Sequence, residues 1–305
     1  MKQAFVEIGF QNKSLKVIQQ ANDIITSYMA RGFTLTLRQL YYQFVSRGLI
    51  ENKQTEYKRL GKLVNDGRMA GLIDWKAIED RTRNVKTPSV WDSPKDIMRA
   101  VASQYQENPW KDQDRAVEVW IEKDALVGVI ENVCTEWRVP YFACRGYASQ
   151  SEVYEAGRRF ARHVRNGKDV LVLHLGDHDP SGLDMTRDIE ERLNLFAGGP
   201  VEVRRLALNM SQIDQYNPPP NPAKDTDVRF EKYQEEFGDE SWELDALDPD
   251  VISALIDDEI RDEVDHDIWE ESMSEEQDSV STLKAISQHW PEVSDFCAQF
   301  KEGDE

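Results

Sequence analysis

Three acidic side chains directly follow segments that are typical of β-strands. Glu122 comes after Val-Glu-Val-Trp-Ile. Asp177 and Asp179 lie in Gly-Asp-His-Asp-Pro-Ser-Gly, directly after the apolar run 169–175. Because open parallel sheets bind ligands beyond the carboxyl ends of their strands, we expect the three carboxylates to meet at one sheet edge. Their mutual repulsion favours a bound cation, and oxygen-only ligation favours Mg²⁺ or Mn²⁺.

A second interpretation of the same residues stays open. Asp177 and Asp179 are residue types that often occupy turns and helix N-caps without binding anything. The coincidence with Glu122 at an equivalent strand end favours the metal site over this alternative. We expect His178, between the two aspartates, to be a turn residue that points away from the carboxylates.

Another group of residues able to do chemistry lies in a predicted helix over 37–49. Its apolar residues recur at helical spacing and include Tyr41, which we expect in the core. Tyr42 falls on the polar side, one helical turn after Arg38. A guanidinium beside an exposed phenol lowers the pKa of the phenol and can hold a phosphate, which suits a tyrosine nucleophile that attacks phosphorus. The alternative is an ordinary surface pair.

The elements that carry the tyrosine are predicted to be short helices. Apolar spacing predicts helices over 13–31, 37–49 and 54–70, with Thr36 as the N-cap of the second. The segment that starts at Gly71 is short and predicts a turn or wing. Three small helices and a short β segment are typical of a winged-helix module.

The elements that carry the carboxylates alternate between strand and helix. The predicted strands are 117–121, 139–143, 169–175 and 201–206. Such alternation predicts a parallel sheet covered by helices on both faces. The run Asn-Pro-Pro-Pro-Asn-Pro over 217–222 closes this region, and the acidic remainder is predicted to hold helices around 228–237, 249–270 and 280–290.

The fold class is therefore predicted to be α/β, in three segments. Residues 1–110 form a winged-helix head with a linker, residues 111–222 form the parallel-sheet domain, and residues 223–305 form an acidic helical region. The charges follow these segments: the formal net charge of the chain is −20, but residues 1–110 carry 17 basic and 11 acidic side chains. The last third carries most of the acidity, as a solvated surface or as a mimic of DNA that blocks the basic head.

The composition also limits the cellular setting. The three cysteines, Cys134, Cys144 and Cys297, are scattered and form no Cys-x-x-Cys pair, so a disulfide framework and a zinc ribbon are not expected. No apolar run is long enough for a transmembrane helix, and the N-terminus lacks the apolar stretch of a secretory signal. We expect a cytoplasmic protein without a membrane partner.

Two stretches in this order resemble a known family. VEVWIEKDAL followed by LVLHLGDHDPSGLDM resembles a Toprim domain, and the Thr-x-Arg-x-x-Tyr-Tyr pattern ahead of it resembles the A subunit of topoisomerase VI and its meiotic double-strand-break relatives. Trp242-Glu-Leu-Asp-Ala-Leu is more weakly similar to a late segment of that family. The resemblance implies a winged-helix tyrosine module joined to a Toprim domain, in a short stand-alone or mobile-element version.

The same resemblance implies roles for particular residues. Glu122, Asp177 and Asp179 would be the metal ligands, Tyr42 the nucleophile and Arg38 its helper. Lys123, next to the first ligand, would assist. The implied reaction is Mg²⁺-dependent cleavage of double-stranded DNA by a homodimer whose two active sites make a double-strand break, with any ATPase on a separate partner.

Two other functions remain open at this point. A Toprim-type metal site can hydrolyse DNA as a nuclease without the tyrosine. A non-enzymatic DNA-binding or assembly protein would need the carboxylates only for a structural cation. In each case we expect basic side chains to contact DNA phosphates, although a solvated helix face is the plainer alternative. These candidates are Lys58, Arg59, Lys62, Arg68, Arg81 and Arg83.

Overall fold

The computed structural model describes residues 1–78 and 88–301, which divide into two compact units. Within these residues, the first unit comprises 1–78 and 116–262, and the second comprises 88–115 and 263–301. Each unit is therefore built from two separate stretches of chain. This division differs from the three predicted segments, because the head and the sheet share a unit and the linker joins the end of the acidic region.

The elements are numbered in chain order. In the described residues the α-helices are α1 (Asn12–Met29), α2 (Leu37–Ser46), α3 (Gln54–Met69), α4 (Pro94–Gln104), α5 (Val127–Glu136), α6 (Gln150–Arg165), α7 (Pro180–Ala197), α8 (Met210–Tyr216), α9 (Phe230–Phe237), α10 (Pro249–Glu263), α11 (His266–Gln288) and α12 (Trp290–Lys301). The strands are β1 (Arg115–Ile121), β2 (Tyr141–Ala143), β3 (Asp169–Leu175), β4 (Glu202–Ala207), β5 (Asn221–Pro222) and β6 (Glu240–Ser241). None of these described helices combines the length and the apolar character needed to cross a membrane.

The first unit begins with three helices around an apolar core. Leu40 and Phe44 of α2 are fully buried in one cluster with Tyr28 of α1, as the apolar spacing predicts. Thr36 caps α2: its side chain accepts a hydrogen bond from the backbone N–H of Gln39, whose own side chain accepts from Thr36. The predicted helices and their cap are confirmed.

The predicted β segment after α3 does not form a hairpin within residues 1–78. In that stretch the chain makes isolated bridges instead, between Ala4 and Ala70 and between Leu35 and Ile78. Gly71 allows the bridge between Ala4 and Ala70, because a Cβ at Gly71 would lie 2.7 Å from the backbone nitrogen of Ala4. The segment before α1 thus covers the end of α3, which the sequence pattern does not indicate.

A four-stranded parallel sheet in the order β2-β1-β3-β4 forms the centre of the first unit. Trp120 lies opposite Phe142, and Val172 lies opposite Val203. Helices α6 and α7 pack against each other and share one buried cluster with the sheet. The right-handed crossover rule puts α5 on the opposite face. The predicted α/β class is confirmed, and β3 is buried from Val170 onward, as a strand covered on both faces must be.

The helix α10 extends the covering of the sheet and explains why the predicted boundary at 222 does not separate two units. Its residues Ile252, Ile256 and Ile260 recur one turn apart and are fully buried. The indole N–H of Trp137, at the end of α5, donates to Asp257 Oδ1 at 2.7 Å. Residues beyond 222 therefore belong to the core of the first unit.

The second unit is mostly helical. Helix α4 packs against α11, and the side-chain amide of Gln113 exchanges two hydrogen bonds with the backbone of Asp265, at 2.9 and 2.8 Å. The predicted single helix over 249–270 is wrong, because Asp265 interrupts it and caps α11 by accepting from two backbone N–H groups. The helix that follows is longer than predicted and includes most of 280–290.

Candidate active site

The carboxyl ends of the adjacent strands β1 and β3 bring Glu122 and the loop after β3 together. Glu122 Oε2 accepts a hydrogen bond of 2.9 Å from the backbone N–H of Asp177. The backbone N–H of Glu122 donates to the carbonyl oxygen of Leu175 at 2.8 Å. Glu122 and Asp177 therefore meet at one edge of the sheet, as their positions after predicted strands indicate.

The two aspartates are each fixed through one carboxylate oxygen. Asp177 Oδ1 accepts from the backbone N–H of Leu244 at 2.8 Å. Asp179 Oδ1 accepts from Ser181 Oγ at 2.8 Å and from the backbone N–H of Gly182 at 2.6 Å, which makes Asp179 the N-cap of α7. Asp179 therefore has the capping geometry of the alternative interpretation. A cap uses one oxygen, so it does not conflict with ligation through the other.

Burial dominates the charge state of these groups. It raises the pKa of Asp177 to about 7, with Lys123 opposing and Glu122 adding to the rise. Burial also raises the pKa of Glu122, although the N–H of Asp177 and the charge of Lys123 oppose it; the charge of Asp179 raises it further. Carboxylates that raise one another's pKa in a desolvated place favour a counter-cation.

The donor set fits a hard divalent cation by its chemistry, since Glu122, Asp177 and Asp179 offer only oxygen ligands. These three side chains do not converge on one point: across residues 1–78 and 88–301, no three Asp, Glu, His or Cys side chains lie close enough together to hold a metal ion. A cationic nitrogen, Lys123 Nζ, lies 2.8 Å from Asp177 Oδ1 instead. Binding of a metal ion by the three carboxylates therefore requires their side chains to turn towards one another.

A half-buried arginine on β4 holds the carboxylate loop in place. Arg205 donates from Nη2 to the carbonyl oxygens of Gly176 and Asp177, at 3.1 and 2.6 Å, and from Nη1 to that of Gly182 at 2.9 Å. Burial lowers its pKa to about 10, although the site carboxylates, Glu122 first, oppose this. Arg205 was not among the predicted site residues, and its only signal in the sequence is an arginine pair inside a predicted strand.

Lys123 connects the sheet edge to a distant acidic segment. Its Nζ lies 2.8 Å from oxygens of Asp177, Glu243 and Asp245. Burial lowers the pKa of Lys123, but these three carboxylates, Asp245 most, outweigh it and raise the pKa above its usual value. The lysine is thus a fully charged link at the centre of the site.

Arg38 reaches the same acidic segment from the tyrosine helix. Its Nη2 donates to Glu243 Oε2, the oxygen that also accepts from Lys123. Its Nε lies 3.0 Å from Asp245 Oδ2, close enough for an ion pair but without the geometry of a hydrogen bond. The guanidinium lies 5.8 Å from the ring centre of Tyr42. An unbroken series of charged contacts therefore joins the tyrosine helix to Asp177.

The predicted exposure of Tyr42 is wrong. Tyr42 is 3% exposed and belongs to the buried cluster of the head, as does Tyr41, which was expected there. The predicted lowering of the Tyr42 pKa is also wrong: burial raises it to about 12, Asp245 and Glu243 add to the rise, and Arg38 only partly opposes them. The polar side of α2 is covered because residues 244–246 pack against it.

A short backbone pairing explains how the segment 242–246 reaches the polar side of α2. The backbone N–H of His178 donates to Trp242 O at 2.8 Å, and that of Trp242 donates back to His178 O at 3.0 Å. The His178 ring is buried, hydrogen-bonded to Tyr233 and packed edge-on against Phe237. The ring therefore lies among aromatic residues, and the predicted turn at His178 is wrong, because the residue forms a β-bridge with Trp242.

The predicted DNA contacts fall into three groups. Lys58, Arg59 and Lys62 are exposed on α3, where Arg59 pairs with Glu56 and Lys62 with Asp66 on the same helix. Arg68 is instead half-buried: it donates to the carbonyl oxygen of Trp75 at 2.7 Å and stacks on its ring. Arg81 and Arg83 lie outside the described residues.

The sequence matches no known family model, and no curated protein is significantly similar to it. Membership of a known family therefore stays a prediction from the two sequence motifs.

Proposed function

We propose that this protein cleaves duplex DNA in a Mg²⁺-dependent reaction in which Tyr42 attacks a backbone phosphate. One observation carries the proposal: charged contacts join the tyrosine helix to the carboxylate edge within one compact unit. Arg38 and Lys123 share a carboxylate oxygen of Glu243, and Lys123 also holds Asp177. A phosphate that met both cations would lie between the tyrosine helix and the acidic edge of the sheet.

The residues divide the reaction between them. Tyr42 Oη releases its proton to solvent and attacks phosphorus, and the bond from phosphorus to the 3′ oxygen breaks. The 3′ oxygen takes up a proton from solvent and leaves as a hydroxyl, while a phosphotyrosyl link retains the energy of the phosphodiester. Arg38 stabilises the phenolate and the phosphate oxygens, and Lys123 neutralises charge that develops on the phosphate. A metal ion held by Glu122, Asp177 and Asp179 would supply Lewis-acid stabilisation of the leaving 3′ oxygen.

The architecture and assembly belong to the same proposal. We infer a winged-helix head and a Toprim domain similar to those of topoisomerase VI A subunits. Two copies of the chain, as a homodimer, give the two tyrosines that a double-strand break needs. Strand passage would require a separate ATPase partner. The free thiols of Cys134, Cys144 and Cys297 support a cytoplasmic setting.

The test is to trap the covalent intermediate. Purified protein is incubated with supercoiled and end-labelled duplex DNA and Mg²⁺ or Mn²⁺, and stopped with detergent before and after protease treatment. We expect breaks that carry covalent protein, and we expect Tyr42→Phe and Asp177→Asn to abolish them. Tyr41→Phe is the matched control: Tyr41 donates to Asn52 Oδ1 in the head core, so this variant should still form the adduct.

A hydrolytic nuclease is the second candidate, and the burial of Tyr42 favours it. A phenol that is 3% exposed with a pKa of about 12 cannot attack DNA without a rearrangement. Hydrolysis at the carboxylate edge needs no such step. Free-ended breaks that survive Tyr42→Phe but not Asp177→Asn would establish the nuclease and refute the tyrosine mechanism.

A further inference from the structure

The carboxylate of Glu243 occupies a two-cation anion site. Its Oε2 accepts from Lys123 Nζ at 2.8 Å and from Arg38 Nη2. Lysine and arginine nitrogens that converge on one oxygen are also the donors that a phosphodiester oxygen takes. Burial by itself raises the pKa of Glu243, but the charges of Lys123 and Arg38 outweigh it and lower the pKa to about 2. The Glu243 carboxylate therefore carries a full negative charge at neutral pH.

The neighbouring carboxylate, Asp245, differs in its surroundings. Its side chain is completely buried, while that of Glu243 is 25% exposed. Asp245 also contacts Lys123 and Arg38, but through a position that solvent does not reach. Glu243 is therefore the more accessible of the two carboxylates, and Asp245 is the enclosed one beside the same two cations.

The backbone around Glu243 is held independently of its side chain. Trp242 is paired with the backbone of His178, and the backbone N–H of Leu244 donates to Asp177 Oδ1. The Glu243 side chain can therefore swing into solvent while the segment stays in place. Replacing one carboxylate by one phosphodiester leaves the number of negative charges between the two cations unchanged.

We propose that Glu243 is a resident carboxylate that occupies a phosphodiester-binding site formed by Arg38 and Lys123, and that DNA binds there by displacing it. This inference deepens the proposed function, because it names the atoms that receive the scissile phosphate and a group of this chain that competes with it. Displacement also removes one of the contacts that keep residues 244–246 packed over Tyr42.

The test measures binding without cleavage. A fluorescent short duplex is titrated with protein in EDTA, in a Tyr42→Phe background. Glu243→Gln should tighten binding by about tenfold, since apparent affinity follows the fraction of molecules whose site is open. Glu240→Gln is the matched control: it removes the same charge three residues away, from an exposed side chain, and should change affinity by less than about twofold.

A second comparison separates a local effect from a general change of charge. Arg38→Gln should cancel the gain of Glu243→Gln, because the phosphate then lacks one of its two donors. Glu243→Ala supplies the same measurement if the glutamine variant does not fold. Equal affinities for the Glu243→Gln and Glu240→Gln proteins would overturn the inference. Tighter binding by Glu243→Gln, together with no covalent adduct from the protein that retains Tyr42, would support the phosphate site and refute only the tyrosine mechanism.

Discussion

Two adjacent tyrosines of the same chemistry lie in different surroundings. Tyr41 donates its hydroxyl to Asn52 Oδ1 at 3.0 Å and packs edge-on against Tyr57, so it stabilises the head. Tyr42 lies beside Arg38, with the carboxylates of the acidic segment beyond it. The neighbouring charges, and not the phenol itself, distinguish the proposed nucleophile from its structural neighbour.

The burial of Tyr42 predicts an effect of pH on stability. Its pKa is raised from 10 to about 12 by burial first, then by Asp245 and Glu243. A raised pKa stabilises the fold below pH 10, and this contribution is lost as the pH rises towards 12, at up to about 1.4 kcal/mol per pH unit. We expect Tyr42→Phe to make the free energy of unfolding fall less steeply between pH 10 and 12, measured by urea denaturation.

The control for this measurement is Tyr154→Phe, at a tyrosine that is 44% exposed. Its alkaline stability profile should follow that of the unmodified protein. Parallel profiles for Tyr42→Phe and the unmodified protein would show that Tyr42 is not buried in solution.

Part of the site is predictable from single residues. Glu122 and Asp177 follow recognisable strands, and the end of a strand determines where the next side chain lies. The exposure of Tyr42 was not predictable, because helical spacing separates two sides of a helix without indicating what covers either one. Glu243 entered only through the weak resemblance of Trp242-Glu-Leu-Asp-Ala-Leu, which gave it no role, because it is one carboxylate among many in an acidic region.

At the scale of elements, the turn between β3 and α7 depends on a glycine. A Cβ at Gly182 would lie 2.1 Å from the carbonyl oxygen of Asp177, far inside van der Waals contact. We expect Gly182→Ala to cost roughly 1–3 kcal/mol of stability through the clash and to displace the carboxylate loop. The urea midpoint measures the first effect, and Mg²⁺-dependent cleavage measures the second.

Gly9→Ala gives the comparison for this prediction, since a Cβ at Gly9 would meet nothing within 4 Å. It should leave the urea midpoint and the cleavage rate unchanged. An unchanged midpoint for Gly182→Ala as well would mean that the loop is looser than the structure indicates.

Helices and strands with a regular apolar spacing were predictable, and β3 begins and ends where its apolar run does. The structure of the segment around 241–246 was not predictable, because a two-residue strand and a short 3₁₀ turn show no periodicity in the sequence. Its position depends on backbone hydrogen bonds to His178, which involve no particular side-chain type. Pairing of this kind is visible only in the folded chain.

At the scale of the whole molecule, the acidic last third is not one appendage. Residues up to 262 complete the first unit, and the remainder joins the second. Each buried apolar side chain stabilises the fold by about 1.5–3 kcal/mol. Removing several of them therefore costs as much as the whole free energy of unfolding of a typical domain, about 5–15 kcal/mol. The buried side chains supplied to the first unit beyond residue 225 include Tyr233, Trp242, Leu244, Leu247, Ile252, Ile256 and Ile260.

Two truncations test this division. A chain that ends at residue 225 should lose the cooperative thermal unfolding of the first unit, because its core is incomplete. A chain that ends at residue 262 should retain it, with a melting temperature close to that of the corresponding transition in the full chain. Circular dichroism during heating measures the unfolding transition of each truncated chain. A cooperative transition in the chain that ends at residue 225 would contradict the division into two units.

The packing of α4 against α11 has a consequence during protein synthesis. About 160 residues separate the two helices along the chain. At a translation rate of about 5–20 residues per second, the ribosome completes α4 roughly 8–30 s before it begins α11. For that time the apolar side chains of the α4 segment have no partner to pack against, so the second unit cannot fold until α11 has been made.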